Sequence, residues 1–159
     1  MSSVSVGIVG CGEQATSRHM PAIQSLEGYS INFIYDVSPQ QMDIFYGSMP
    51  DDKQRPIRCN DLEELIEYSD LVLVCAPPFA HHSVCQSCIK QGKAFITEKP
   101  FGRTWFEASN LSGMLKESCL RSGYVENQIY HPIIRSTKLR LLDGLIGRPQ
   151  YIAICSPHP

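Results

Sequence analysis

The residues best suited to chemistry near the start of the chain are two glycines and a small residue at fixed spacing, Gly10-Cys11-Gly12-x-x-Ala15. The chemistry they suit is the binding of a pyrophosphate. Gly10 permits a tight turn, Gly12 lets the backbone approach phosphate oxygens, and Ala15 lets the following helix pack close to the preceding strand. Free amides at the start of that helix then face the phosphates. Glycines alone would fit a turn in any α/β protein, so a second residue has to agree. Asp36 does: it closes the next apolar run about 20 residues on, where its carboxylate can accept from the adenosine ribose hydroxyls. The same carboxylate repels a 2′-phosphate, and Val37-Ser38-Pro39 offers no base to reverse this, so NAD is expected in preference to NADP.

These residues work only if placed between strands and helices. Val4 to Val9 is a β-branched run, and Ala15, His19, Ala22, Ile23 and Leu26 recur at helical spacing, with Pro21 expected to kink the helix before Gly28 ends it. Ile31 to Tyr35 forms the second strand, Pro39 to Tyr46 a helix and Ile57 to Cys59 a short third strand. Asp61-Leu62-Glu63-Glu64 has the form of a capping box. Leu71 to Cys75 is uninterrupted apolar, as a central parallel strand covered on both faces requires. A helix from about His81 to Gln91, a strand at Ala94 to Thr97, a second capping box at Thr104-Trp105-Phe106-Glu107 and a strand at Tyr124 to Val125 come next. Pro132 fits the first position of a further helix, and Tyr151 to Cys155 begins another strand. Six strands alternating with helices read as α/β, a doubly wound parallel sheet of the Rossmann type, with ligands beyond the carboxyl ends of the strands.

Composition narrows the function classes. With 159 residues, 43% apolar content and a net charge of −2, the chain can bury a core and carries no electrostatic footprint for nucleic acid or an anionic membrane. No apolar run approaches the roughly 20 residues of a membrane span, and the N-terminus lacks a signal-peptide pattern, so a soluble cytoplasmic protein is expected. The seven cysteines fall mainly in apolar segments and read as reduced, buried thiols. Cys85-x-x-Cys88 lacks a second pair for zinc, and His81 and His82 point about 100° apart on a helix and cannot share one metal. No metal site is expected. Cys11 at a helix start reads as backbone presented to the pyrophosphate rather than as a reactive thiol, and Trp105 with Phe101 and Phe106 reads as a hydrophobic anchor.

Three further motifs stand at strand ends. Ala76-Pro77-Pro78-Phe79-Ala80-His81, Glu98-Lys99-Pro100, and Glu126-Asn127-Gln128 through His131-Pro132 resemble, in order, the proline-to-histidine loop, the signature tripeptide and the crossover segment of the glucose-fructose oxidoreductase and inositol 2-dehydrogenase family (Gfo/Idh/MocA). Gln14 and the Pro78-Phe79 pair depart from that family's pattern. The resemblance covers essentially the whole chain. It implies a cofactor site of Gly10, Gly12, Gln14, Asp36, Pro77, His81, Glu98, Lys99 and Asn127, with Glu98 near the nicotinamide ribose. It implies that Lys99 is the one catalytic residue in this chain, a desolvated ammonium beside the reacting oxygen of a sugar, cyclitol or similar polyol, where it stabilises charge or relays a proton.

By the same resemblance, residues 1–126 form the dinucleotide-binding domain and 127–148 the crossover helix. Residues 149–159 begin a truncated second domain that would carry an Asp and a His of the active site. The chain alone is then expected to bind nucleotide with little turnover, and the full-length protein to be a homo-oligomer. Two rival readings stay open: a dinucleotide-sensing regulatory protein on the same scaffold, and a domain for another adenosine ligand such as a methyl donor.

Overall fold

The computed structural model describes residues 3–151 and 153. Two compact units divide the chain, Met1–Val125 and Glu126–Pro159. The first is a six-stranded sheet in the order β3-β2-β1-β4-β5-β6, every pairing parallel. Its strands are β1 (Val4–Val9), β2 (Tyr29–Tyr35), β3 (Ile57–Arg58), β4 (Leu71–Val74), β5 (Ala94–Thr97) and β6 (Ser122–Tyr124). This is the Rossmann order, in which the chain runs outward from β1 through β2 to β3 and then returns to β4 on the other side of β1. The crevice between the carboxyl ends of β1 and β4 is the place such a sheet offers a ligand.

The sheet is covered on both faces, which explains the unbroken apolar run of β4. Val72 and Val74 join Val9, Leu65, Ile66, Val84, Cys85, Cys88, Ile89, Phe95 and Leu111 in one buried cluster. Leu73, pointing the other way, joins Val6, Ile8, Ala15, Met20, Ile31, Ile34, Met42 and Phe45 in a second. The helices between them are α1 (Met20–Gln24), α2 (Pro39–Gly47), α3 (Leu62–Tyr68), α4 (Pro78–Lys90) and α5 (Trp105–Ser118). Both expected caps form: the Glu64 amide donates to Asp61 Oδ1 at 2.8 Å, and the Glu107 amide to Thr104 Oγ1 at 3.2 Å.

Some boundaries move, each for a local reason. Helix α4 starts at Pro78 rather than near His81, because proline's fixed φ and missing N–H suit a helix's first turn. Strand β6 is Ser122–Tyr124 rather than Tyr124 to Val125. The irregularity expected at Pro21 is a π turn over Ala15–His19 that leads into α1. Pro21 would crowd the Ser17 carbonyl in an unbroken α-helix, and a wider turn just ahead of it accommodates the ring.

The second unit contains a 3₁₀ turn, Asn127–Tyr130, and α6 (Pro132–Leu142) with the expected proline at its start. Apart from Tyr151 and Ala153, the expected strand from Tyr151 to Cys155 lies outside the described residues. Among the described residues no helix is long and apolar enough to cross a membrane.

Candidate functional site

Three loops leave the carboxyl edge of the sheet side by side, each tied to its neighbour by one continued ladder hydrogen bond. The Gly10 amide donates to the Tyr35 carbonyl at 2.8 Å, the Cys75 amide to Val9 at 2.7 Å, and the Glu98 amide to Val74 at 2.9 Å. The loops after β1, β4 and β5 therefore start from fixed positions. Together with the end of β2 and the first turn of α4 they line a cleft of about 810 Å³.

The glycine turn has the properties its spacing predicts. Gly10 sits at φ +89°, and a Cβ there would lie 2.5 Å from the Ala76 backbone nitrogen and 2.7 Å from the Cys75 carbonyl carbon. Only glycine fits, for both conformation and space. A Cβ on Gly12 would meet nothing within 4 Å, so this glycine leaves open the backbone face that lines the cleft. Ala15 is fully buried against the sheet. An open Gly12 between a crowded Gly10 and a buried Ala15 is a cradle that fits a pyrophosphate.

Asp36 closes β2 beside this turn. Its Oδ2 accepts from the Cys11 amide and its Oδ1 from the Ser38 amide, each at 2.8 Å. A carboxylate has about four acceptor positions, so capacity remains for ribose hydroxyls. Burial, with the Asp36 charge next, pushes the Cys11 thiol from its ordinary 9.0 up to about 12, and burial likewise raises Cys75 above the usual thiol range. Neither thiol is a nucleophile at neutral pH. Cys85 and Cys88 are fully buried in the core, with burial as the main cause of pKa values of about 11 and about 12.

At the far end of the cleft, Lys99 is exposed and Glu98 half-buried. The motif leads to the expectation of a desolvated lysine. Within these residues it is not one, because the side chain leaves the carboxyl edge of the sheet where nothing in this unit covers it. The Lys99-Pro100 peptide is cis. His81 lines the cleft but is only 1% exposed, and its ring nitrogens each lie 2.7 Å from a backbone carbonyl, Nδ1 from Pro100 and Nε2 from Ala76. It ties the loop after β4 to the loop that carries Lys99. Gln14 and Pro77 are exposed on the cleft lining. Asn127 begins the 3₁₀ turn of the second unit.

Four residues to which the sequence assigned no binding role also line the cleft: Val37, 87% exposed, with Gln41, Leu62 and Phe79. Val37, Leu62 and Phe79 add apolar surface to that lining, of the kind an aromatic base packs on. The signal that would have found them is position, since Val37 directly follows the acidic strand end and Phe79 lies two residues before His81. His19 reads from the sequence as a helix-spacing residue, yet its Nε2 lies 2.7 Å from Glu98 Oε1. Among the described residues no group of three or more His, Cys, Asp or Glu is placed to hold a metal ion.

Residues 4–124 match a family model described as an oxidoreductase family with an NAD-binding Rossmann fold. The chain is 22% identical over 142 residues to glucose-6-phosphate 3-dehydrogenase of Bacillus subtilis, covering 89% of this chain and 39% of that protein. Scyllo-inositol dehydrogenase from Lactobacillus casei superimposes with a TM-score of 0.78 at 17% identity, over 92% of this chain and 43% of that one. An oxidoreductase from Agrobacterium radiobacter, solved with NAD+, L-tartaric acid and magnesium, superimposes with a TM-score of 0.80 at 21% identity, over 93% and 42% respectively. The chain spans about 40% of the length of the curated relatives it matches.

Proposed function

Since the chain belongs to the oxidoreductase family with an NAD-binding Rossmann fold, we propose that it is the nucleotide-binding half of an NAD-dependent dehydrogenase acting on a sugar, cyclitol or similar polyol. The observation that carries this reading is the span of a single cleft, with the glycine turn and Asp36 at one end and Glu98 and Lys99 at the other. Gly10, Gly12 and Gln14 would hold the pyrophosphate, Asp36 the adenosine ribose, and Val37 and Phe79 the base. Pro77 would line the middle of the cleft, and Glu98 would approach the second ribose.

Bound there, NAD would supply the hydride acceptor. The part played by this chain's own residues is electrostatic. As a hydride leaves an alcohol carbon, negative charge grows on its oxygen; the Lys99 ammonium would stabilise that charge, and the same nitrogen as a neutral amine would take up the hydroxyl proton. His81 fixes the loop from which Lys99 projects. The polyol substrate class is supported by the names of the inositol and glucose-6-phosphate dehydrogenases that resemble this chain. Preference for NAD is supported by the Asp36 charge and by Arg58, whose guanidinium pairs with Asp43 at 2.6 Å and stacks 4.2 Å from the Tyr46 ring instead of lining the cleft.

Calorimetric titration of the 159-residue chain with NAD and with NADP tests the reading. Saturable NAD binding, tighter than that of NADP and weakened at least tenfold by Asp36→Ala, is expected. Binding of neither nucleotide, or an affinity indifferent to Asp36, would overturn it.

A further inference from the structure

One contact in the cleft wall belongs to no part of that reading. His19 and Glu98 lie 79 positions apart, yet Nε2 of one is 2.7 Å from Oε1 of the other, with side chains only 17% and 13% exposed. The other carboxylate oxygen, Oε2, lies 3.1 Å from the Lys99 amide that donates to it. A carboxylate can only accept, so the imidazole donates from Nε2, and Glu98 is held from both sides. His19 is also the last residue of the π turn, in which the Met20 amide reaches five residues back to the Ala15 carbonyl. A π turn takes in one residue more than an α turn, and each residue of an α-helix advances by about 100°, so the turn swings the next residues of the helix by roughly that angle. It does so while Ala15, its first residue, and Met20, the residue after it, both stay buried in the core.

We infer that His19 is a positioning residue for Glu98: as the last residue of the π turn it meets the end of β5, where it aims the carboxylate at the ribose nearer the nicotinamide. One helical segment then serves both ends of the ligand, its first amides at the phosphates and its π turn, through Glu98, at the nicotinamide half. This inference rests on the dinucleotide reading above. It requires that loss of His19 be felt by the nicotinamide half and not by the adenosine half.

The test is a titration of the 159-residue chain and its variants with NAD and, separately, with 5′-AMP, which lacks the nicotinamide nucleotide. His19→Ala is expected to weaken NAD about tenfold and leave 5′-AMP within twofold. His19→Gln, whose amide can donate from a similar place, is expected to recover most of the loss. In a Glu98→Ala background, His19→Ala should cost nothing further for NAD. Should His19→Ala not fold, Glu98→Gln carries the same expectation of selective NAD loss, with melting curves confirming the fold. A parallel fall in 5′-AMP affinity, unchanged NAD affinity, or additive losses in the double variant would overturn the role of His19. A wild-type chain that binds neither ligand would overturn the dinucleotide reading itself, and the inference with it.

Discussion

At the β1 end of the cleft the glycine turn presents main chain to the ligand, while at the β5 end the presented groups are the side chains of Glu98 and Lys99. Gly10 and Gly12 expose main chain, and the Asp36 carboxylate is held by two backbone amides, one two residues on at Ser38 and one in the glycine turn at Cys11. At the other end, Glu98 depends on His19 from the π turn, and the Lys99 loop on His81 from α4. The difference separates two ways of building a site. Backbone surfaces are set by where glycine is allowed, so they depend on local sequence. Side-chain surfaces need elements distant in the chain to converge, so they exist only in the finished fold.

The comparison breaks most sharply at Gly10. Gly10→Ala forces a left-handed backbone, costing about 1–2 kcal/mol for conformation alone, and drives a methyl to 2.5 Å from the Ala76 nitrogen. A thermal melt is expected to show a fall of many degrees or no cooperative transition. Gly12→Ala, where a methyl meets nothing within 4 Å, should melt within a degree or two of wild type yet bind NAD at least tenfold more weakly. Equal melting temperatures for the two variants would remove the distinction between the crowded and the open glycine.

His81→Leu attacks the side-chain end. It removes the imidazole N–H that donates to one of the Ala76 and Pro100 carbonyls, a loss of about 1–3 kcal/mol where that carbonyl stays buried and unsatisfied. Denaturant unfolding should report that loss while 5′-AMP binding survives. If 5′-AMP affinity falls as far as NAD affinity, the two ends are not separable.

A smaller effect is expected with pH. The Cys11 thiol keeps its proton up to about 12 in the folded chain, against 9.0 when unfolded. The unfolded chain therefore loses its proton first. This contribution to stability is complete below pH 9 and declines as the pH rises toward 12, by up to about 1.4 kcal/mol per unit for each such thiol. Cys11→Ala should make the measured decline between about pH 9 and 11 shallower.

Legibility in the sequence divides in the same way. The strand, turn and helix around Gly10 and both helix caps rest on contacts within a few residues, and the acidic end of β2 and the unbroken apolar run of β4 are announced by their amino-acid types although their partners are distant. Pro21 signals an irregular helix, but not that the irregularity is a π turn, since that choice depends on keeping Ala15 and Met20 in the core while His19 reaches Glu98. The motif places Lys99 on the cleft, whereas its exposure depends on what lies above the sheet edge. The apolar cleft residues Val37, Leu62 and Phe79 come from a loop and two helices and carry no shared period, so only the positions of Val37 after Asp36 and of Phe79 before His81 hint at them.

Asp36 has a further consequence for anyone wishing to redirect cofactor choice. The residue that discriminates against a 2′-phosphate is also a staple, since its two oxygens fasten the glycine turn through Cys11 and the start of α2 through Ser38. Exchanging it for a neutral or basic residue to admit the phosphate withdraws both fastenings together. Selectivity and rigidity are therefore coupled at one side chain, and a redesigned chain needs a new acceptor for the Cys11 amide before it needs a new positive charge.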